Sequence, residues 1–213
     1  YQLCGSAGCR GTAVAAENQV QNPVVHFERN NNGTLIVMPA VPATGASKVR
    51  GRLVFGIGTL GNNQLPLSAT ALFMQTDPSA SDYFYITTRI GTQTYPFSYV
   101  DSGSNGLFFD DASLPTRCVA GGAGSTWYCP TSAQAKTAVM ADPRGNTATV
   151  NFSISSADLL FASPNVAFSN LGGAAGAADP GAFVWGMPFF YGRSVYTAIW
   201  GQALADNGPW VAF

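Results

Sequence analysis

The chain has 213 residues, enough to bury a core without covalent staples, yet only 10% of them are charged and the net charge is −1. That balance leaves no basic stripe to neutralise phosphates or anionic lipid headgroups, so a nucleic-acid partner is not expected. Apolar runs such as "SATALFMQ" and "GAFVWGMPFFYG" fall short of a bilayer span, so no membrane partner is expected either.

In chain order, "GSAGCRG" at the start reads as a loop, followed by strand-like runs: "PVVHFE", "GTLIVMP", "GRLVFGIG", "ATALFMQ", "YFYITTRI", "TYPFSYVD", "ATVNFSIS", "SVYTAIWGQ" and "WVAF". "NNNGT" and "DPRGN" (residues 142–146) carry the turn chemistry of hairpins. Short helices are expected at "SADLLF", with Ser156 as N-cap, and after "FFDDASLP". "GGAGS" (121–125) and "LGGAAGAADPG" (171–181) read as loops. The expected class is mainly β with few short helices, residues 1–21 forming a lead-in to one β core over 22–213.

Cysteine spacing gives two local pairs, Cys4/Cys9 and Cys118/Cys129, which read as disulfides of a secreted or periplasmic protein. Zinc would want two-residue spacing and histidine, and the one histidine, His26, falls in a strand-like run as a half-buried surface residue. No metal and no cofactor is expected.

The stretch "TYPFSYVDSGSNGLFF" concentrates the chemistry. An apolar strand delivers Asp101, and Ser102, Gly103 and Ser104 then force a tight turn before "GLFF" departs. Gly103 permits a left-handed or strained backbone and lets peptide N–H groups approach the carboxylate, while the hydroxyls of Ser102 and Ser104 supply further donors. By itself the triplet is ordinary turn chemistry.

This stretch resembles the paired turns of the pepsin-like aspartic peptidases. In that family each of two lobes carries an Asp-Thr/Ser-Gly-Thr/Ser turn after an apolar strand, and later two apolar residues and a glycine thread through the turn. Here "YVDSGSNGLFF" is similar to the first part and "FVWGMPFFYGRSVYTAIWGQ" to the second, with Val184 and Trp185 before Gly186. Met187 stands where many pepsins have an acidic residue. "NPVVHFERNNNGTLIVMP" and "GRLVFGIGTLGNN" resemble the strands joining the lobes, and Cys118 and Cys129 suit a disulfide within the second lobe. The chain also resembles a group of secreted bacterial proteins of uncharacterised activity that carry "DSGSNGLFF" and "PFFxGR".

The resemblance implies a pepsin-like acid-protease lobe, with twisted antiparallel sheets and a ψ-loop around the Asp-Ser-Gly turn that Gly186 threads. Residues 1–21 would be the tail of a preceding N-terminal lobe, and 22–213 the C-terminal lobe with its interlobe strands. The implied activity is that of half a secreted aspartic endopeptidase, a hydrolase acting on peptide substrates. Such chemistry needs two carboxylates about 3 Å apart, one as general base on water and one protonated to polarise the carbonyl. Asp101 is one of them. Asp77, Asp142 and Asp179 precede proline, Asp110 and Asp111 lie downstream of the turn, and Asp158 and Asp206 have unsuitable contexts. The second carboxylate is therefore expected from an N-terminal lobe held as a separate chain or, less favoured, from a second copy of this chain. The alternative is a non-catalytic pepsin-fold protein that binds peptide or polymer.

Other constellations have plainer readings. Asp110 and Asp111, with Asp82, suggest calcium but read as solvated loop acids. A serine nucleophile lacks a base. Tyr83, Phe84, Tyr85, Trp127, Tyr128, Trp185 and Trp200 read as packing, unless several share an exposed groove. Sequons at Asn32 and Asn151 matter only in a eukaryotic source, against which the bacterial resemblance speaks.

Overall fold

The computed structural model describes residues 2–6, 8–11, 14, 18, 20–77, 80–116, 118–119, 125–176, 180–202 and 209–213. Strands dominate, as their alternating apolar runs require. β1 (Gln2–Gly5) and β2 (Gly8–Gly11) form a hairpin where the sequence reads as a loop, with Cys4 opposite Cys9 and the two joined by a disulfide. The run "PVVHFE" is not a strand. Pro23–His26 is a 3₁₀ turn because Asn22 accepts from the Val24 N–H at 3.0 Å and proline pre-sets the first helical position. His26 ends that turn and is exposed rather than half-buried in a strand.

The strands that follow are β3 (Gly33–Val37), β4 (Arg52–Phe55), β5 (Ala71–Phe73), β6 (Gln75–Asp77), β7 (Ala80–Ile90), β8 (Gln93–Val100) and β9 (Leu107–Phe109). Next come β10 (Gln134–Ala141), β11 (Thr147–Ile154), the short helix α1 (Ala157–Phe161) and β12 (Gly172–Gly173). β13 (Phe183–Trp185), helix α2 (Met187–Phe190), β14 (Ser194–Ala198) and β15 (Trp210–Ala212) complete the series. An eight-stranded mixed sheet runs β11-β10-β7-β8-β13-β9-β12 with β6 on β7, and a five-stranded sheet runs β4-β3-β14-β15-β5.

The two sheets face each other across the main core. Strand alternation decides which side chains enter it: Val195 and Val211 point into the shared core with Ile86, Tyr95 and Phe109, while Tyr196, Trp210 and Ala212 point the other way. That second face is covered by Ile57 and its loop. "NNNGT" is accordingly not a hairpin but part of a lock: Asn32 is buried, donating to the Ile57 carbonyl at 2.9 Å and accepting from the Ile57 N–H at 2.8 Å. Both polar ends of this sequon are spent inside the fold, whereas Asn151 is exposed.

The helix expected after "FFDDASLP" falls on a stretch of which residues 117 and 120–124 lie outside the described residues; within the stretch itself the Asp111 carboxylate accepts from the Ser113 N–H at 2.8 Å and closes a turn. Ser156 does occupy the N-cap position of α1, but its side chain makes no capping bond. Within 171–181, Gly172 and Gly173 form β12, parallel to β9. A Cβ at Gly172 would lie 2.6 Å from Ile154 Cδ1 and 3.0 Å from the Leu107 carbonyl, so glycine is what lets this backbone close on the core. Residues 121–124 and 177–179 of the two expected loops lie outside the described residues.

"DPRGN" does form the expected hairpin turn between β10 and β11. Asp142 organises it: one oxygen accepts from the Arg144 and Asn146 N–H groups at 2.9 Å each, and the other from Asn146 Nδ2 at 2.8 Å and the Phe73 N–H at 3.0 Å. The last bond ties one sheet to the other. Burial alone would raise this carboxyl, but the Phe73, Asn146 and Arg144 donors outweigh it and hold it below the ordinary carboxylate range. Because the folded value lies below the unfolded one, the stabilisation is present above the unfolded value of about 3.9 and is lost as pH falls through the folded one. Asp142→Ala is expected to lower the unfolding free energy by about 2 kcal/mol at neutral pH, with the deficit shrinking in acid. Urea titrations of both proteins at neutral and acid pH check this.

Candidate functional site

β8 delivers Asp101 at its end, with residues 97, 99 and 101 alternating onto one side of the strand. Phe97 and Tyr99 both contact Tyr85 of β7, with ring centroids 5.4 and 6.2 Å apart, so a half-exposed aromatic ladder leads toward the aspartate. From sequence Tyr85 reads as packing, and Phe97 and Tyr99 belong to no motif. The signal for them was the two-residue spacing behind Asp101.

The carboxylate of Asp101 is held by its own turn. Oδ1 accepts from the Gly103 N–H at 2.8 Å and Oδ2 from the Ser104 hydroxyl at 2.7 Å. Ser102 is exposed and does not join them. Gly103 does not adopt a positive φ, so its role is close approach rather than a left-handed backbone. A Cβ there would sit 3.1 Å from Asp101 Oδ1. Gly103→Ala is expected to push the carboxylate by a few tenths of an ångström at about 1 kcal/mol or less, read as a small shift in thermal midpoint.

β13 runs between β8 and β9, parallel to the first and antiparallel to the second. The Asp-Ser-Gly turn connects those two flanking strands and so wraps around the chain that leaves β13. The Asp101 N–H donates to the Trp185 carbonyl at 3.0 Å, and the Met187 N–H donates to the Ser104 carbonyl at 2.7 Å. Gly186 lies between these two bonds. A Cβ on it would stand 2.1 Å from the Gly106 carbonyl oxygen and 2.6 Å from that of Ser104. Beneath the turn, Trp185 is fully buried, stacks on Phe183 at 4.1 Å and donates from Nε1 to the Thr88 hydroxyl at 3.0 Å.

The exit from β9 is fixed by two tyrosines. Tyr95 donates to the Asp110 carbonyl at 2.8 Å and Tyr128 to the Phe109 carbonyl, and the Asp111 N–H donates to the Tyr128 hydroxyl at 3.0 Å. Burial pushes both phenols up, so they act as neutral donors. Burial would also raise the Asp111 carboxyl, but Lys136 at 2.8 Å and the Ser113 donors outweigh it and hold it below its usual range. Asp110 accepts from the Gly176 N–H at 3.1 Å. Both acids therefore face protein donors, and the side chain of Asp82 lies outside the described residues.

Cys118 and Cys129 are bonded to each other. Together with Asp158 they form the group of potential metal ligands found among the described residues, but disulfide sulfurs offer no thiolate. Both disulfides fit an oxidising, non-cytoplasmic setting. No helix among the described residues is long and apolar enough to cross a membrane. Among the aromatics, Tyr128 and Trp185 are core, Tyr85 and Trp127 half-buried, and Trp200 exposed; the side chains of Tyr83 and Phe84 lie outside the described residues. Among the described residues no second carboxylate bonds to Asp101 or its turn.

Fold and site together define a mainly β, disulfide-bonded protein that presents one aspartate on a turn clamped over a glycine. The sequence matches, over residues 1–213, the family described as "Protein of unknown function (DUF3443)", and the chain belongs to that family. No curated protein and no solved structure matches it.

Proposed function

We propose that this chain is the C-terminal half of a secreted aspartic endopeptidase, with Asp101 as one member of a catalytic carboxylate pair. The observation that supports the reading is the clamp: both Asp101 oxygens are held by Gly103 and Ser104 while the turn closes over Gly186, as a ψ-loop of a pepsin-like lobe would require. Gly103 and Ser104 orient the carboxylate toward a bound water, and Gly186 fixes the turn without touching substrate. The Tyr85, Phe97 and Tyr99 rings offer apolar surface for substrate side chains beside the scissile bond.

Removing a proton from water and polarising a carbonyl needs a second, protonated carboxyl about 3 Å away. On this reading it comes from an N-terminal lobe, preferably a separate chain, and otherwise from a second copy related by two-fold symmetry. The test is the mass of the native assembly, under native and then denaturing conditions, combined with hydrolysis of an unfolded protein substrate in acid. A second polypeptide bearing an Asp-Thr/Ser-Gly turn, with acid hydrolysis, is the expected result. A monomer inert toward peptide bonds and blind to a statine-type inhibitor sinks the peptidase reading. If such a monomer still binds extended peptide, the aromatic ladder is that of a non-catalytic binding protein.

A further inference from the structure

A cavity of about 410 Å³ opens beside α2, and its size falls in the range of small-ligand sites. Phe152 and Pro188 give it an apolar wall, while Ser153, Tyr191 and Arg193 bring polar groups to it. Arg193 is the unusual member. The chain has 10 cationic and 11 anionic side chains in total, and this cation stands at the wall of a cavity of mixed lining, half-buried, with no carboxylate partner among the described residues.

Its bonds are few. One guanidinium nitrogen donates to the Phe189 carbonyl at 2.6 Å, and the group lies over the Phe189 ring at 4.9 Å. A guanidinium has five N–H donors, so among the described residues most of this one's capacity is unmatched by protein acceptors. Burial pulls the group below the usual guanidinium range. The half-buried guanidinium keeps donors open toward the cavity, where an anion can take the place of water. The position is also rigid: the Arg193 N–H donates to the Phe190 carbonyl at 3.0 Å, and its carbonyl accepts from the Met38 N–H at 3.0 Å.

We propose that this cavity binds a carboxylate carried on a compact apolar body, with the planar Arg193 fork receiving the carboxylate and the Phe152 side of the cavity receiving the body. A fork matches the two oxygens of a carboxylate, and an apolar wall disfavours a multiply charged or sugar-like ligand. The same chemistry is presented by a free arylalkyl acid and by the C-terminal residue of a peptide. The site does not depend on the peptidase reading.

Isothermal titration tests it with four probes: 3-phenylpropionate, its neutral alcohol, N-acetyl-Gly-Phe with a free C-terminus, and the same dipeptide as its amide. At least one acid is expected to bind at millimolar concentration, and its neutral counterpart about tenfold or more weakly. Binding of the free acid alone names a small metabolite-like source, and binding of the dipeptide acid alone names a peptide C-terminus. Arg193→Met is expected to abolish the preference for the acid, and Arg193→Lys to weaken it. Since loss of the Phe189 contact could itself disturb folding, Ser153→Phe supplies a second arm: it fills the cavity, keeps Arg193 and is expected to abolish binding with an unchanged circular dichroism spectrum. Failure of both acids to bind the wild type, equal binding of acid and neutral probes, or unchanged affinity in Ser153→Phe overturns the proposal.

Discussion

The Gly186→Ala variant is expected to lose about 3 kcal/mol or more of stability, the largest effect of any single methyl addition in this region. The backbone at Gly186 has φ −79° and ψ −164°, which any residue adopts, so the cost is steric rather than conformational. The new Cβ would meet the Gly106 carbonyl oxygen at 2.1 Å and the Ser104 carbonyl oxygen at 2.6 Å. Neither neighbour is a side chain that can swing away; both are main chain of the Asp101 turn. Relief requires that turn to lift, which breaks the Met187–Ser104 bond of 2.7 Å and strains the Asp101–Trp185 bond of 3.0 Å. Total stabilities of domains are about 5–15 kcal/mol, so the variant is expected to unfold at markedly lower urea, or to fail to accumulate. Urea unfolding followed by tryptophan fluorescence reads this directly, because Trp185 sits at the adjoining position. An unchanged midpoint would mean that the turn does not close over this glycine.

The contrast between Gly103 and Gly186 shows what the sequence made legible. Both glycines were readable as parts of one device, because Asp-Ser-Gly after an apolar strand and two apolar residues before a later glycine are local patterns. Their different physical roles were not. Gly103 yields to a side-chain carboxylate and Gly186 to two carbonyls, and that distinction depends on β13 entering between β8 and β9 from some 80 residues away, a pairing to which strand periodicity is blind.

Periodicity did locate most strands, and it failed where side chains bond to nearby backbone. Asn22 turned an apolar run into a 3₁₀ turn, and Asn32 spent its amide on Ile57 rather than on a hairpin. Helix α2 announced itself only through Pro188 in its first turn. Arg193 carried no sequence signal, since its isolation from carboxylates is a property of the folded cavity.

On the proposed peptidase reading, Asp101→Asn is expected to leave the fold in place while removing hydrolysis. Asparagine is nearly isosteric, and its carbonyl oxygen still accepts from the Gly103 N–H now 2.8 Å from Oδ1. At the other atom an amide NH₂ replaces Oδ2, and the Ser104 hydroxyl, which donates at 2.7 Å, rotates to accept instead. The main-chain bonds from Asp101 to Trp185 and from Met187 to Ser104 do not involve the side chain at all. The thermal midpoint should therefore move little, on the order of 1 kcal/mol or less.

The chemistry has no such substitute. An amide neither takes a proton from water nor shares one with a second carboxylate, so hydrolysis should fall by about 10²–10⁴-fold, the usual worth of a positioned acid–base group. Assaying cleavage of an unfolded protein in acid, with the thermal midpoint measured at the same pH, separates the two effects. Retained cleavage places the reacting carboxylates elsewhere. A collapse of the midpoint together with cleavage would make Asp101 a structural cap of its turn. A stable variant without cleavage leaves the carboxylate as the missing group, and it also bears on the partner, because one aspartate on one turn cannot supply both the base and the acid.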